Sequence, residues 1–172
     1  MSHTLQRVVI TGFMGAGKTT VALALAARLN CQMIDLDDLI TTREGRTPQQ
    51  IIDTDSEPRF RKIETEALRE ALDGGEARII ALGGGAWTVA ENRALVEQHG
   101  CLSVWLDAPF ELCWRRIASG GDERPLARER AAAQLLYEAR RKLYRLARLC
   151  VSINEGRSAE SVSAEITEAG RL

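Results

Sequence analysis

The 172 residues predict an α/β fold in which helices cover both faces of a parallel sheet. Three observations predict it. Short apolar runs alternate with longer segments of helical pattern along the whole chain, as strands and crossover helices of a parallel sheet do. The first apolar run passes through a glycine-rich turn straight into helix formers, the opening of a βα unit. No internal repeat, low-complexity tract or linker breaks the alternation, so residues 1–172 are expected to form one domain.

The first strand is Val8-Val9-Ile10-Thr11, followed by Gly12-Phe13-Met14-Gly15-Ala16-Gly17-Lys18-Thr19-Thr20 and a helix through Leu29. That nonapeptide fits G-x-x-x-x-G-K-[ST] in strand–turn–helix context, where the pattern means a phosphate-binding loop. The glycines let successive backbone N–H groups turn inward on an anion, and the helix beginning near Gly17 adds its positive end. Gly15, Ala16, Gly17, Lys18, Thr19 and Thr20 are therefore the candidate phosphate-binding set. Lys18 is expected at the β- and γ-phosphates and the Thr19 hydroxyl on Mg²⁺. The chain has 20 Arg and only 3 Lys, yet one lysine stands where the motif needs a compact ammonium.

A second strand is read over Cys31–Ile34, ending in Asp35-Leu36-Asp37-Asp38. Acids at a strand's carboxyl end lie at the mouth where such sheets bind ligands. Alternation along an extended chain would point Asp35 and Asp37 to one side, one suited to a metal-bound water and the other to a substrate hydroxyl. The competing role for Asp37 or Asp38 is capping a helix over Leu39–Arg43. Thr47-Pro48 starts a short helix through Asp53, and Asp55-Ser56-Glu57-Pro58 precedes a longer one over Arg59–Leu72. On the latter Phe60, Ile63, Ala67 and Leu68 make an apolar stripe, and Arg61 with Glu64 has the spacing of a surface ion pair.

The third strand, Ala77–Leu82, runs into Gly83-Gly84-Gly85-Ala86. Three glycines together let backbone approach something bulky with its amides exposed. A helix over Val89–His99, a strand over Cys101–Leu106 and a helix over Phe110–Ala118 follow. Ser119–Leu126 is a polar, hinge-like loop with Arg124 beside Pro125, suited to presenting an arginine to a phosphoryl group. The longest helical pattern spans Arg128–Arg148, with Ala131, Leu135, Leu136 and Leu143 among its apolar positions and most of its arginines expected in solvent. Leu149–Ile153 is the last strand and Ser158–Ala169 the closing helix, with Ser158 as its cap.

A net charge of −1 gives no support for nucleic acid or an anionic membrane as partner. No apolar run approaches the roughly 20 residues that span a bilayer, and no leader pattern is read at the start. Cys31, Cys101, Cys113 and Cys150 lie far apart beside apolar runs, as buried free thiols do, which points to the cytosol. His3 and His99 sit in no motif, so any proton transfer falls to a carboxylate.

The phosphate loop, Asp35-x-Asp37, Phe60-Arg61-x-x-Glu64, Gly83-Gly84-Gly85-Ala86, Arg124-Pro125-Leu126 and Arg140-x-x-Leu143-Tyr144 together resemble the shikimate kinase family. The likeness covers nearly the whole chain, with six pieces in register. It implies a nucleoside-monophosphate-kinase-like fold with a five-stranded parallel sheet, a substrate-binding segment near 36–64 and a lid near 115–127. It also implies transfer of the ATP γ-phosphate to the 3-hydroxyl of shikimate, a step in making aromatic amino acids. The protein is expected to act as a monomer.

Carried over by position, Asp37 holds the reacting hydroxyl, and Arg61 and Arg140 clamp the shikimate carboxylate. Gly83, Gly84 and Gly85 contact substrate. Thr19 and Asp35 tend Mg²⁺, Arg124 closes on the phosphates and Arg116 lies against adenine. The sequence departs from the family at Ile52 and Ser56, where an aromatic residue and a glycine are usual. A kinase of another small polyol or sugar acid such as gluconate shares most of these features. A ligand-sensing module without catalysis would be expected to lack Lys18, Asp35, Asp37, Arg61 or Arg124, and all five are present.

Overall fold

The computed structural model describes residues 6–120 and 130–172. Five strands form one sheet: β1 Val8–Thr11, β2 Met33–Asp35, β3 Ile79–Ala81, β4 Leu102–Asp107 and β5 Leu149–Ser152. Their order is β2-β3-β1-β4-β5 and every neighbouring pair is parallel. Val9 aligns with Ile80 on one side and Ser103 on the other, placing β1 at the centre. Val8, Val9 and Ile10 are wholly buried, as the near-continuous apolar run of a strand covered on both faces requires.

Among the described residues the helices are α1 Lys18–Arg28, α2 Leu36–Glu44, α3 Pro48–Thr54, α4 Glu57–Gly74, α5 Ala90–Gln98, α6 Phe110–Ser119, α7 Arg130–Tyr144 and α8 Ala159–Gly170; a 3₁₀ turn spans Ala86–Thr88. The class and five-stranded sheet match expectation. Because the strands are parallel, β1, β2 and β3 deliver Gly12, Asp35 and Gly83 to the same edge of the sheet, where ligands bind in such folds.

Four readings need correction. Strand β2 runs over Met33–Asp35 and α2 starts at once at Leu36, because the Asp35 carboxylate itself caps it, accepting from the Asp37 and Asp38 amides at 3.0 and 3.4 Å. Asp37 is thus in the first helical turn, and strand alternation is not what brings it beside Asp35. Among the described residues α4 is the longest helix, at 18 residues, and α7 stops at Tyr144, where the chain turns into β5.

The buried face of α7 is Ala133, Tyr137, Arg140 and Tyr144, while Ala131 and Leu135 are exposed, Leu135 by 73%. Finally, all four cysteines are free thiols, but only Cys101 and Cys113 are buried; Cys31 is half-buried and Cys150 exposed. Cys150 lies on the edge strand β5, whose side chains alternate between core and solvent. Among the described residues no helix is long and apolar enough to cross a membrane.

Candidate active site

A cleft of about 910 Å³ opens at the carboxyl edge of the sheet. Its first wall is the turn between β1 and α1. Gly15 has φ +80°, and a Cβ there would meet the Cys113 carbonyl oxygen at 2.7 Å, so the turn needs glycine both for its backbone and for its seat on α6. Helix α1 begins at Gly17 with no side-chain cap, leaving its first amides to whatever occupies the cleft. The Ala16 amide is already engaged with the Phe13 carbonyl at 3.1 Å, and Ala16 is buried beneath the turn. Gly15, Gly17, Lys18, Thr19 and Thr20 all line the cleft. Lys18 Nζ bridges back over the turn to the Gly12 and Phe13 carbonyls at 2.9 and 3.0 Å.

Thr19 Oγ1 donates to Asp35 Oδ2, joining α1 to the end of β2. A hydroxyl and a carboxylate oxygen side by side at a phosphate loop are hard donors suited to Mg²⁺, which commonly takes one or two protein oxygens and completes its shell with water and phosphate. The described residues hold no cluster of three or more metal-ligating side chains, which such a site does not require.

The opposite wall is built by side chains from α2, α4 and α7 against the glycine triplet. Each glycine accommodates a different one. A Cβ on Gly83 would lie 2.8 Å from Asp37 Oδ1 and 3.2 Å from Glu64 Oε1; on Gly84, 3.3 Å from Arg140 Nη1 and 3.4 Å from the Met14 amide; on Gly85, inside the Arg61 guanidinium. The bulky neighbours expected of the triplet are thus the protein's own charged groups. Among the described residues none of the three glycine amides donates to a protein acceptor, so these N–H groups are left for solvent or ligand. The carbonyls, by contrast, are fixed: Gly83 by the Ala86 amide at 3.2 Å, Gly84 by the Tyr144 hydroxyl and Gly85 by Thr88 Oγ1 at 2.6 Å.

Arg61 is no surface residue. Its Nη1 lies 2.7 Å from Glu64 Oε2, whose side chain is 1% exposed, and Nη2 lies 3.2 Å from Glu57. Phe60 packs beneath the guanidinium, 5.2 Å from ring centroid to Cζ. Glu64 Oε1 is buried and finds no hydrogen-bond partner among the described residues. Burial pushes the Glu64 carboxyl up to about 7, against the pull of Arg61. Asp37 is also raised, first by burial and then by Asp35, with Lys18 and Arg61 opposing. Arg140 is buried and makes no salt bridge within 4 Å among the described residues; burial lowers its pKa. A desolvated guanidinium in that state favours the arrival of an anion.

Asp35, Asp37, Arg61, Gly83, Gly84, Gly85 and Arg140 therefore share one cleft with the phosphate turn. Arg116 lies at its rim, donating to the Gly15 carbonyl at 3.0 Å, and also lines a second, open depression of about 480 Å³ with Leu112, Gly120 and Gly156. Arg124 and the lid stretch from 121 onward fall outside the described residues. Ile52 lines the cleft, and Ser56 caps α4 through the Arg59 amide at 3.2 Å. Sequence reading put the Arg61–Glu64 pair at the surface and named Tyr144 only within a motif, giving neither Glu64 nor Tyr144 a part in the site. Each stands one helical turn from a candidate arginine, at i+3 and i+4, and what that reading lacked was the burial of that face.

Comparison with known proteins agrees with this architecture. A family model described as shikimate kinase matches residues 14–170. A shikimate kinase of Geobacter sulfurreducens is 42% identical over 164 residues, covering 94% of this chain and 88% of its own. One from Streptomyces avermitilis is 39% identical over 171 residues, covering 98% of each. Among solved structures, the Acinetobacter baumannii shikimate kinase in complex with shikimate superposes with a TM-score of 0.90 at 33% identity, over 98% of this chain and 94% of that one. With its phosphate turn, parallel sheet and near full-length similarity, this chain belongs to the shikimate kinase family.

Proposed function

We propose that this protein transfers the γ-phosphate of ATP to the 3-hydroxyl of shikimate, giving shikimate 3-phosphate and ADP. The observation that carries the reading is the meeting of two unlike walls at Gly84, which abuts both Arg140 and the Met14 amide of the phosphate turn. A polyphosphate held on one wall then faces an organic acid held on the other. Phosphoryl transfer depends chiefly on such positioning and on charge stabilisation.

On the phosphate wall, the amides at the start of α1 and the ammonium of Lys18 hold the β- and γ-phosphates. Lys18 exchanges its loop carbonyls for phosphate oxygens without leaving the turn. Thr19 and Asp35 would hold Mg²⁺, which supplies neutralisation of phosphate charge. Arg116 sits at the nucleotide's outer end, where the second depression offers room for a base. Arg124 keeps the sequence-based assignment to the transferring group.

On the acid wall, Arg61 and Arg140 take the shikimate carboxylate. Two planar guanidinium groups suit a carboxylate better than lysines would. The glycine amides receive substrate oxygens. Asp37 accepts the hydrogen of the reacting hydroxyl; as its oxygen bonds to the γ-phosphorus and the bond to the ADP oxygen breaks, the proton passes to Asp37 and then to solvent. A carboxylate raised by burial is a better acceptor than one in water.

The test is ADP release by the purified protein with ATP and shikimate, with and without Mg²⁺. Metal-dependent turnover with shikimate is expected. Robust turnover with gluconate and none with shikimate would replace the reading with that of a sugar-acid kinase.

A further inference from the structure

The Arg140 guanidinium is buried, and among the described residues it makes no salt bridge within 4 Å, Glu57 and Glu64 acting on it from further off. Its neighbour along the helix is a neutral group. Tyr144 stands one turn further along α7, on the same buried face, and is 1% exposed. Its hydroxyl donates to the Gly84 carbonyl. The Arg140 guanidinium meets the same glycine from another side: its Nη1 would lie 3.3 Å from a Cβ on Gly84. Tyr144 and Arg140 thus bear on one residue, the first bonded to its carbonyl and the second packed against its Cα.

The joint is anchored on both sides. Trp87 Nε1, just past the glycines, donates to the Leu143 carbonyl at 3.1 Å. The Tyr144 ring packs against Trp105 of the central sheet with centroids 6.2 Å apart. The glycine turn and α7, about 60 residues apart in sequence, are thereby locked in one register. The lock lies under the spot where Gly84 meets Arg140.

We propose that Tyr144 is a positioning residue for the acid end of the cleft: its hydroxyl sets the peptide plane at Gly84, against which the Arg140 guanidinium packs, so that both meet substrate pre-oriented. This rests on the function proposed above and adds to it a residue that touches no substrate. A merely structural tyrosine would fill space and satisfy one carbonyl, and its loss would lower stability without selecting between substrates.

Tyr144→Phe keeps the ring and removes the oxygen. With folding checked by thermal melting, the KM for shikimate is expected to rise about 5-fold, the loss of one neutral hydrogen bond, with the KM for ATP within about two-fold. The same change in an Arg140→Ala background should add almost nothing, because Gly84 then has no guanidinium to hold in place. An unchanged shikimate KM in the single variant, or a full additional rise in the double, would overturn the proposal while leaving the kinase reading standing. No turnover of shikimate by the wild type would overturn both. Should Tyr144→Phe melt below the assay temperature, Tyr144→Met, which also lacks the hydroxyl, is read by the same cycle.

Discussion

The two ends of the cleft are built on opposite principles. The phosphate end is a single stretch of chain, Gly12–Thr20, whose useful groups are mostly backbone amides held by glycine geometry and an uncapped helix start. Within that stretch only Lys18 adds a full charge. The acid end draws Asp37, Arg61, Glu64 and Arg140 from three helices and rests them on a separate glycine turn. Its useful groups are side chains, several of them charged and buried, so its geometry depends on tertiary packing. Backbone recognises a group that every nucleotide shares, and assembled side chains recognise the one that differs. The first end should therefore govern rate and the arginines of the second selectivity, with Asp37 the acid-end group that shares in the chemical step.

The sharpest way to break that contrast is Lys18→Ala. It is expected to lower kcat about 1,000-fold, as loss of a group bearing on developing phosphate charge does, while circular dichroism and thermal melting stay near wild type. Next comes Asp37→Asn, expected to cut kcat about 100-fold, the usual scale for a proton acceptor, with little change in ATP affinity by calorimetry. Arg61→Ala should raise the KM for shikimate roughly 10- to 100-fold through a lost charge-assisted contact. The KM for ATP should not move. Equal effects on both KM values would mean that the two ends do not divide the work.

A smaller effect concerns Glu64. Burial holds its folded pKa at about 7 against 4.5 for the free side chain, so between those values the folded state carries a proton that the unfolded state has released. The stability this contributes is full below about pH 4.5 and is lost as pH rises through about 7, amounting to roughly 3 kcal/mol at most. Urea unfolding at about pH 5 and about pH 8 should show wild type weakening more than Glu64→Gln across that window. The smallest effect is that of Ser56→Ala at the α4 cap, about 1 kcal/mol of stability, with the kinetics intact.

The same contrast explains how much was legible in the sequence. The phosphate turn is local: its glycines, lysine and hydroxyl are contiguous and lie between a strand and a helix that hydropathy alone can find. Asp35 and Asp37 were legible as residues, but their geometry was not, because the side chain of Asp35 ends the strand early by capping α2. Helix α7 shows the harder case. Its leucines suggested an apolar face through Leu135, whereas the buried stripe is Ala133, Tyr137, Arg140 and Tyr144. A charged residue counts as solvent-facing until something distant is known to receive it, and here the receiver is a glycine in another loop. Arg61 and Glu64 at i, i+3 read as an exposed pair for the same reason: nothing in α4 itself reveals that the glycine triplet closes over them.

The site on the product that carries the new phosphate bears most directly on whether the two walls face each other across one reaction. Phosphorus and proton NMR of the material formed from ATP and shikimate should show a single ester, at the 3-hydroxyl. Phosphate on another hydroxyl, or a mixture of esters, would mean that Asp37 and the two guanidinium groups do not hold the substrate as the cleft implies.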